Sequence, residues 1–291
     1  MKAYKYFSVV FGLIAVLSCF SVVAWAQDEV RKNILVVHTN DTHSCVMPIN
    51  PNYADTLQAD KGGYLRRAAL VAELRRKEPD LLLLDCGDFS QGSPYYSIFK
   101  GEVEISLMNY MKYDACTIGN HEFDFGLENM ARVFRMADFP VVCCNYDFTG
   151  TVLQDIVKPY VILHRKGIKI GVFGLSPKLE GLVSGENYKG VRYLDPIEEA
   201  NRVAKHLKLT EGCDLVICLS HLGWGIAEMD DARLIKATRY IDTVIGGHSH
   251  TYFAEPKSVV NADGKSVVCN QMGKNGRFVG TLLFEMVPEW K

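Results

Sequence analysis

The sequence predicts an α/β protein in which mixed sheets are covered by helices. Three features predict it. Short, β-rich apolar runs alternate with helix-spaced segments from Asn33 to Ile245. The first run, Asn33 to Thr39, is almost continuously apolar, as befits a strand buried on both faces. Beyond Ile245 the remaining strand-like runs have an antiparallel flavour, so the sheets are mixed. At 291 residues and 48% hydrophobic content, the chain can bury a substantial core. No repeat, low-complexity tract or long linker divides it, and residues 27–291 read as one domain.

The elements follow in order. After the Asn33–Thr39 strand and a polar loop, Gly62-Gly63 opens a helix with Leu65, Ala68, Ala69, Ala72 and Leu74 at helical spacing, ending before Pro79. A strand from Asp80 to Asp85 comes next, then a helix around Glu102 to Lys112 and a strand from Asp114 to Ile118. A helix around Leu127 to Met136 precedes a strand from Pro140 to Cys144. Tyr160–His164 and Lys169–Leu175, joined by Arg165-Lys166-Gly167-Ile168, read as a hairpin. Pro196 sits in the first turn of a helix reaching Leu209, where its missing N–H costs nothing. The strand Asp214–Leu219, a helix near Asp230–Thr238 and the strand Ile241–Ile245 complete the alternation. The tail runs are Ser258–Val260, Ser266–Asn270 and Phe278–Met286.

The first 26 residues are of another kind. Lys2 and Lys5 precede an uncharged stretch from Tyr6, and Ala24-Trp25-Ala26 is an A-x-A cleavage pattern before Asp28 and Glu29. Residues 1–26 therefore read as a secretory signal peptide, placing the protein in the periplasm or outside the cell. Val16-Leu17-Ser18-Cys19 offers lipid anchoring as an alternative route, and an uncleaved membrane anchor is a second. With 32 basic and 34 acidic residues the chain carries a net charge of −2, or −4 without Lys2 and Lys5. That balance gives no electrostatic case for a nucleic-acid polymer as partner. Cys86, Cys116, Cys143, Cys144 and Cys218 lie in or beside apolar runs and read as core thiols, and no C-x-x-C pair suggests a zinc knuckle.

Five fragments carry the chemistry: Asp41-Thr42-His43, Gly87-Asp88, Gly119-Asn120-His121-Glu122-Phe123-Asp124, Ser220-His221, and Gly246-Gly247-His248-Ser249-His250. Each follows an apolar run, so each belongs where a strand ends, the place where open α/β sheets gather functional groups. In extended backbone, residues i and i+2 share a side, which pairs Asp41 with His43 and His248 with His250. Asp88 is a candidate bridge between two cations about 3.5–4 Å apart. Asn120 adds a neutral oxygen and His221 another imidazole. Two aspartates, one asparagine and four histidines without thiolate suit two divalent ions, Zn or Mn first, with Co, Fe or Mg as further candidates.

The ordered series resembles the metal-binding domain of the secreted 5'-nucleotidase/UDP-sugar hydrolase family, within the calcineurin-like phosphoesterases, over nearly all of residues 27–291. The resemblance implies a four-layer αββα sandwich and a hydrolytic phosphomonoesterase. It implies that Asp41, His43, Asp88 and His250 hold one metal, and Asp88, Asn120, His221 and His248 the other. It also implies that His121 stabilises the transition state with Asp124 orienting its imidazole. Two cations would neutralise the ester's oxygens and lower the pKa of a bound water toward ~7. The expected substrate is a small phosphate ester, a nucleoside 5'-monophosphate above all. Cyclic nucleotides or UDP-sugars are alternatives, as is a metal-containing subunit silent without a partner chain. The family's C-terminal nucleotide-binding domain has no counterpart before Lys291, so a separately encoded subunit is expected to supply nucleotide selectivity.

Some residues invite a plainer reading. His38 lies within the first strand and reads as a core histidine. Cys45 follows the Asp-x-His motif where the family more often has glycine, but as a third alternate ligand on one loop it is disfavoured. Gly62-Gly63 either lets backbone approach the substrate or merely starts a helix. Leu65, Leu70 and Leu74 read as core, and His164 and His206 as surface or packing residues.

Overall fold

Apolar strand residues alternate between two interfaces, and that alternation builds the architecture. The computed structural model describes residues 32–226 and 228–286. The expected signal peptide, the alternative lipidation site and Glu289-Trp290-Lys291 lie outside these residues. The strands are β1 (Lys32–Thr39), β2 (Leu82–Asp85), β3 (Ala115–Cys116), β4 (Tyr146–Asp147), β5 (Tyr160–Arg165) and β6 (Ile168–Leu175), followed by β7 (Arg192–Tyr193), β8 (Leu215–Ser220), β9 (Thr243–Gly246), β10 (Lys257–Val260), β11 (Ser266–Asn270) and β12 (Gly280–Met286). The helices are α1 (Tyr64–Lys77), α2 (Pro94–Phe99), α3 (Glu102–Met111), α4 (Gly126–Phe134), α5 (Pro196–Lys205) and α6 (Asp231–Ala237).

One sheet has the order β12-β1-β2-β3 and the other β10-β11-β9-β8-β6-β5, with β4 and β7 as a separate pair. Ile34 and Val36 of β1, Leu82 and Leu84 of β2, and Ile170, Val172, Ile217 and Leu219 of the second sheet form one buried cluster between the sheets. Their neighbours in sequence face outward: Val37 and Leu83 pack with Ile105, Met108, Met130 and Phe134 from α3 and α4. Phe173 and Val216 pack with Ala200, Val203, Leu234 and Ile235 from α5 and α6. Period-two alternation along strands with apolar residues on both sides thus yields helix, sheet, sheet, helix. This is the αββα sandwich.

Strands β1, β2 and β3 run parallel, as do β6, β8 and β9. Their C-terminal ends meet at one edge of the sandwich, where the loops carrying the five fragments emerge. The tail is less uniform than its sequence suggests. β12 pairs antiparallel with β1, and β10 with β11, but β11 joins β9 in parallel.

Three further expectations change. Pro140–Cys144 is not a strand: Val142 N donates to Cys116 O of the first sheet (2.8 Å), while Cys144 N donates to Gly174 O of the second (2.9 Å). The segment crosses between sheets, and its backbone bonds are divided between them. The expected Pro196–Leu209 helix is α-helical only to Lys205, after which His206–Thr210 form a π-helical turn. Asp195 caps its start, accepting from Ile197 N and Glu198 N. On α1 the buried face is Tyr64, Arg67 and Val71, with Leu74 partly buried, whereas Leu65 and Leu70 are exposed at 78% and 42%. The core stripe runs through a tyrosine and an arginine, so an apolar-only pattern chose the wrong face. His38 is a buried core residue, its Nε2 3.1 Å from Asn270 Nδ2, and burial pushes its pKa down to about 3.

Candidate metal centre

Tight loops rather than extended backbone bring the ligand candidates together. Asp41, His43, Asp88, His248 and His250 all take left-handed φ, between 43° and 69°. Non-glycine residues pay for that conformation sterically, and such strain gathers at functional sites. The same-side pairing of Asp41 with His43, and of His248 with His250, therefore comes from turning, not from strand pleat. The turns are held by backbone bonds: Asp41 N donates to Gly87 O and His43 N to Asp88 O, each at 3.0 Å. His248 N donates to both oxygens of Asp41 at 3.0 Å. Two glycines are required by space. A Cβ on Gly119 would lie 2.1 Å from Asp88 Oδ1, and one on Gly247 would lie 2.8 Å from His221 Nδ1.

The side-chain donor atoms converge. Asp41, His43 and His250 form one triad, Asp88, His221 and His248 a second, and His43, Asp88 and His121 a third between them, with donor atoms in each lying within 4.8 Å of one another. His43 and Asp88 each belong to two of the three, and of these only Asp88 has two oxygens with which to bridge. His43 Nε2 stands 2.9 Å from His250 Nε2, and His221 Nε2 3.1 Å from Asp88 Oδ2. The latter pair lacks hydrogen-bond geometry, and His221 Nε2, His43 Nδ1 and Asn120 Oδ1 are buried without any hydrogen-bond partner. Orphaned buried polar atoms are costly unless something else satisfies them. His221 Nδ1 lies 2.5 Å from Cys86 O, so that nitrogen donates and Nε2 is the atom left to face the centre. The residues therefore fit divalent cations. A carboxylate, an amide oxygen and imidazoles with open lone pairs face one space.

Electrostatics agree. Burial lowers the pKa values of His43, His248 and His250 to about 4, so each is neutral and able to ligate at ordinary pH. Asp41 is raised to about 7 by burial. For Asp88 burial acts upward, but the His221 imidazole beside it outweighs burial and holds the carboxyl below its usual range. His221 is raised to about 10 because Asp88 and Asp41 outweigh its burial. The two carboxylates favour the protonated imidazole, and a metal bound at Nε2 would compete with that proton.

His121 occupies the rim of this space. Its Nδ1 lies 3.1 Å from Asp124 Oδ2, its backbone N–H donates to Asp88 Oδ1 (2.9 Å), and Tyr96 Oη donates to its carbonyl (3.0 Å). Burial lowers its pKa but Asp124 and Asp88 more than compensate, so the net shift is upward. Asn187 Nδ2 fixes the Asp124 carbonyl at 2.9 Å.

Three organising residues were not picked out from the sequence. Buried Glu122 accepts from Gly119 N (2.6 Å), Asp88 N (3.0 Å) and Ser90 N (3.1 Å), tying two ligand loops together. Its position inside the Asn-His-Glu run was the available signal. Asn40 donates to Asp41 Oδ2 (2.6 Å) and to Gly273 O (2.8 Å). Gln271 donates to Gly247 O (2.8 Å) and accepts from Ser249 Oγ (2.8 Å) and Thr251 N (2.6 Å), holding the His248–His250 loop from a distant strand end. Nothing local marks that glutamine. Cys45 donates to Met47 O (3.2 Å) and joins no donor triad. Gly63 precedes α1, while Gly62 leaves room for Asn275 O, 2.7 Å from where a Cβ would sit.

Fold and site together define a metal-binding αββα domain. The chain belongs to the calcineurin-like phosphoesterase family, whose model matches residues 34–252. It is 32% identical over 267 residues to a snake venom 5'-nucleotidase from Crotalus adamanteus, covering 86% of this chain and 44% of that protein. It is 31% identical over 271 residues to a 5'-nucleotidase from Homo sapiens, covering 87% of this chain and 46% of the relative. The crystal structure of a 5'-nucleotidase precursor from Thermus thermophilus superposes with a TM-score of 0.79 at 31% identity, covering 87% of this chain and 51% of that one. The chain thus spans about half the length of these relatives. Among the described residues, no helix is long and apolar enough to cross a membrane.

Proposed function

We propose that this chain is an exported phosphomonoesterase with two divalent cations, acting on nucleoside 5'-monophosphates. The observation that carries the proposal is the position of Asp88, shared between donor triads, beside the buried, unpartnered Asn120 Oδ1 and His221 Nε2. In this reading Asp41, His43, Asp88 and His250 hold one cation, and Asp88, Asn120, His221 and His248 the other. When bound, the pair supplies charge neutralisation at the phosphoryl oxygens and activation of water. Zn or Mn suits the donor set first.

The chain's own groups do the rest. Asp124 holds His121 Nδ1, which leaves Nε2 to meet charge developing on the phosphoryl group or its leaving oxygen. Tyr96 and Asp88 fix the His121 backbone from opposite sides. The nucleotide as substrate is supported by the 5'-nucleotidases among its relatives, and export by the leader-like sequence of residues 1–26.

The test is a substrate panel. Purified chain supplied with Mn²⁺ or Zn²⁺ is offered adenosine 5'-monophosphate, a 3',5'-cyclic nucleotide and a UDP-sugar, and kcat/KM is measured for each. Hydrolysis of the monoester is expected to dominate. Cleavage of the cyclic or sugar diester without monoester hydrolysis would replace this proposal with a phosphodiesterase.

A further inference from the structure

Beside the His250 flank of the centre stands an aromatic pair that the proposed chemistry does not use. Tyr252 and Phe278 stack with ring centroids 4.2 Å apart and an interplanar angle of 25°. Tyr252 is 48% exposed despite lying two residues from a ligand candidate. The 272–278 loop is fastened to the metal loop, since Asn275 N donates to Asp41 O (2.7 Å) and Asn40 Nδ2 to Gly273 O. Gly273 marks the junction. A Cβ there would lie 3.6 Å from Arg277 Nη2, 3.6 Å from Tyr252 Cβ and 4.0 Å from His250 O.

Two cations share this surface. The Arg277 guanidinium lies over the Phe278 ring at 5.8 Å, and its Nε donates to Lys274 O at 3.2 Å. Among the described residues neither Arg277 nor Lys274 has a carboxylate within salt-bridge distance. Lys274 is close enough for its charge to act on His250. An exposed ring backed by a second ring, with an unpaired guanidinium beside it, is a stacking platform with a preference for anionic aromatic molecules.

We propose that Tyr252, backed by Phe278 and flanked by Arg277 and Lys274, is a leaving-group subsite of the centre that binds the aromatic portion of a phosphate ester by stacking. It rests on the phosphomonoesterase reading and adds to it a substrate class: aromatic esters, nucleosides included, are preferred over aliphatic ones. Stacking uses the π-face that every base possesses, so the subsite favours nucleotides as a group and leaves the choice among bases open. It is local to this chain.

The test uses the full chain loaded with Mn²⁺. kcat/KM is measured for adenosine 5'-monophosphate and glycerol 3-phosphate in the wild type, Tyr252→Ala and Tyr252→Phe. The ratio of the two values is expected to fall about tenfold in Tyr252→Ala and to be retained in Tyr252→Phe. An unchanged ratio, or an equal loss on both esters, would make the stack a packing pair and overturn the subsite. A measurement on the wild type alone guards against a misfolded variant: calorimetric binding of adenosine should be at least about tenfold tighter than that of ribose. Equal binding overturns the proposal. If the wild type hydrolyses neither ester, the functional reading fails, while the adenosine and ribose measurement still decides the subsite.

Discussion

Replacing Glu122 with glutamine should cost up to about 2 kcal/mol of stability, the balance of three hydrogen bonds against a buried charge. The buried carboxylate accepts from Gly119 N and Asp88 N on Oε2 and from Ser90 N on Oε1. An amide keeps the shape but has one accepting oxygen. If that oxygen takes the Oε2 position, the NH2 group confronts the Ser90 N–H, leaving a buried donor unsatisfied at about 1–3 kcal/mol. The two surviving bonds lose their charge assistance, worth about 1 kcal/mol each. Burial and the Asp88 charge raise the Glu122 pKa to about 7, so at pH 8 the ionised carboxylate is itself disfavoured on folding, and glutamine recovers about 3 kcal/mol against the roughly 3–5 kcal/mol lost in hydrogen bonds. Urea unfolding of the metal-free wild type and Glu122→Gln reads the difference directly. A glutamine variant more stable than the wild type would refute the claim that this carboxylate locks the two ligand loops. Alanine is the poorer probe, since exposing three N–H groups to a cavity would unfold a protein of ordinary stability.

Other outcomes follow from the same geometry. His121→Asn should lower the hydrolytic rate by about 10²-fold or more with both cations retained, and Asp124→Asn should do less. A more severe defect in Asp124→Asn than in His121→Asn would contradict the orienting role. The core histidine His38 makes stability depend on acid: its folded pKa of about 3 lies below the unfolded value of ~6.5, so its contribution is intact above pH 6.5 and is lost as pH falls toward 3. Between pH 7 and pH 5 that amounts to about 2 kcal/mol, which His38→Gln should remove from the pH dependence of unfolding. An unchanged dependence would show that His38 does not titrate differently on folding.

The apolar runs of β1, β2, β8 and β9, each ending in a fragment that bears donor atoms, revealed mixed sheets covered by helices, and the family resemblance of those fragments implied the four-layer sandwich. Motifs at strand ends are legible because strand and ligand are adjacent in the chain. The face of α1 was not, because Tyr64 and Arg67 line its buried side and a hydropathy pattern discounts both. The Pro140–Cys144 segment looked like a strand because it is apolar, yet its hydrogen bonds are shared by two sheets that meet only in three dimensions. The same limit hid Gln271, whose partners Gly247, Ser249 and Thr251 lie more than one strand away in sequence. The left-handed turns at Asp41, His43, Asp88, His248 and His250 are imposed by cross-loop backbone bonds and leave no mark in composition.

If one shared carboxylate, Asp88, organises a pair of cations on which hydrolysis depends, metal content and rate must fall together when it is removed. Metal content per chain, measured by elemental analysis during stepwise reconstitution of wild type and Asp88→Ala alongside the rate on adenosine 5'-monophosphate, tests it most directly. Wild-type activity is expected to saturate with the second equivalent of Mn²⁺ or Zn²⁺, and Asp88→Ala to lose occupancy of both sites together with activity. Full activity of the wild type without bound metal, or undiminished occupancy of both sites in Asp88→Ala, would contradict it.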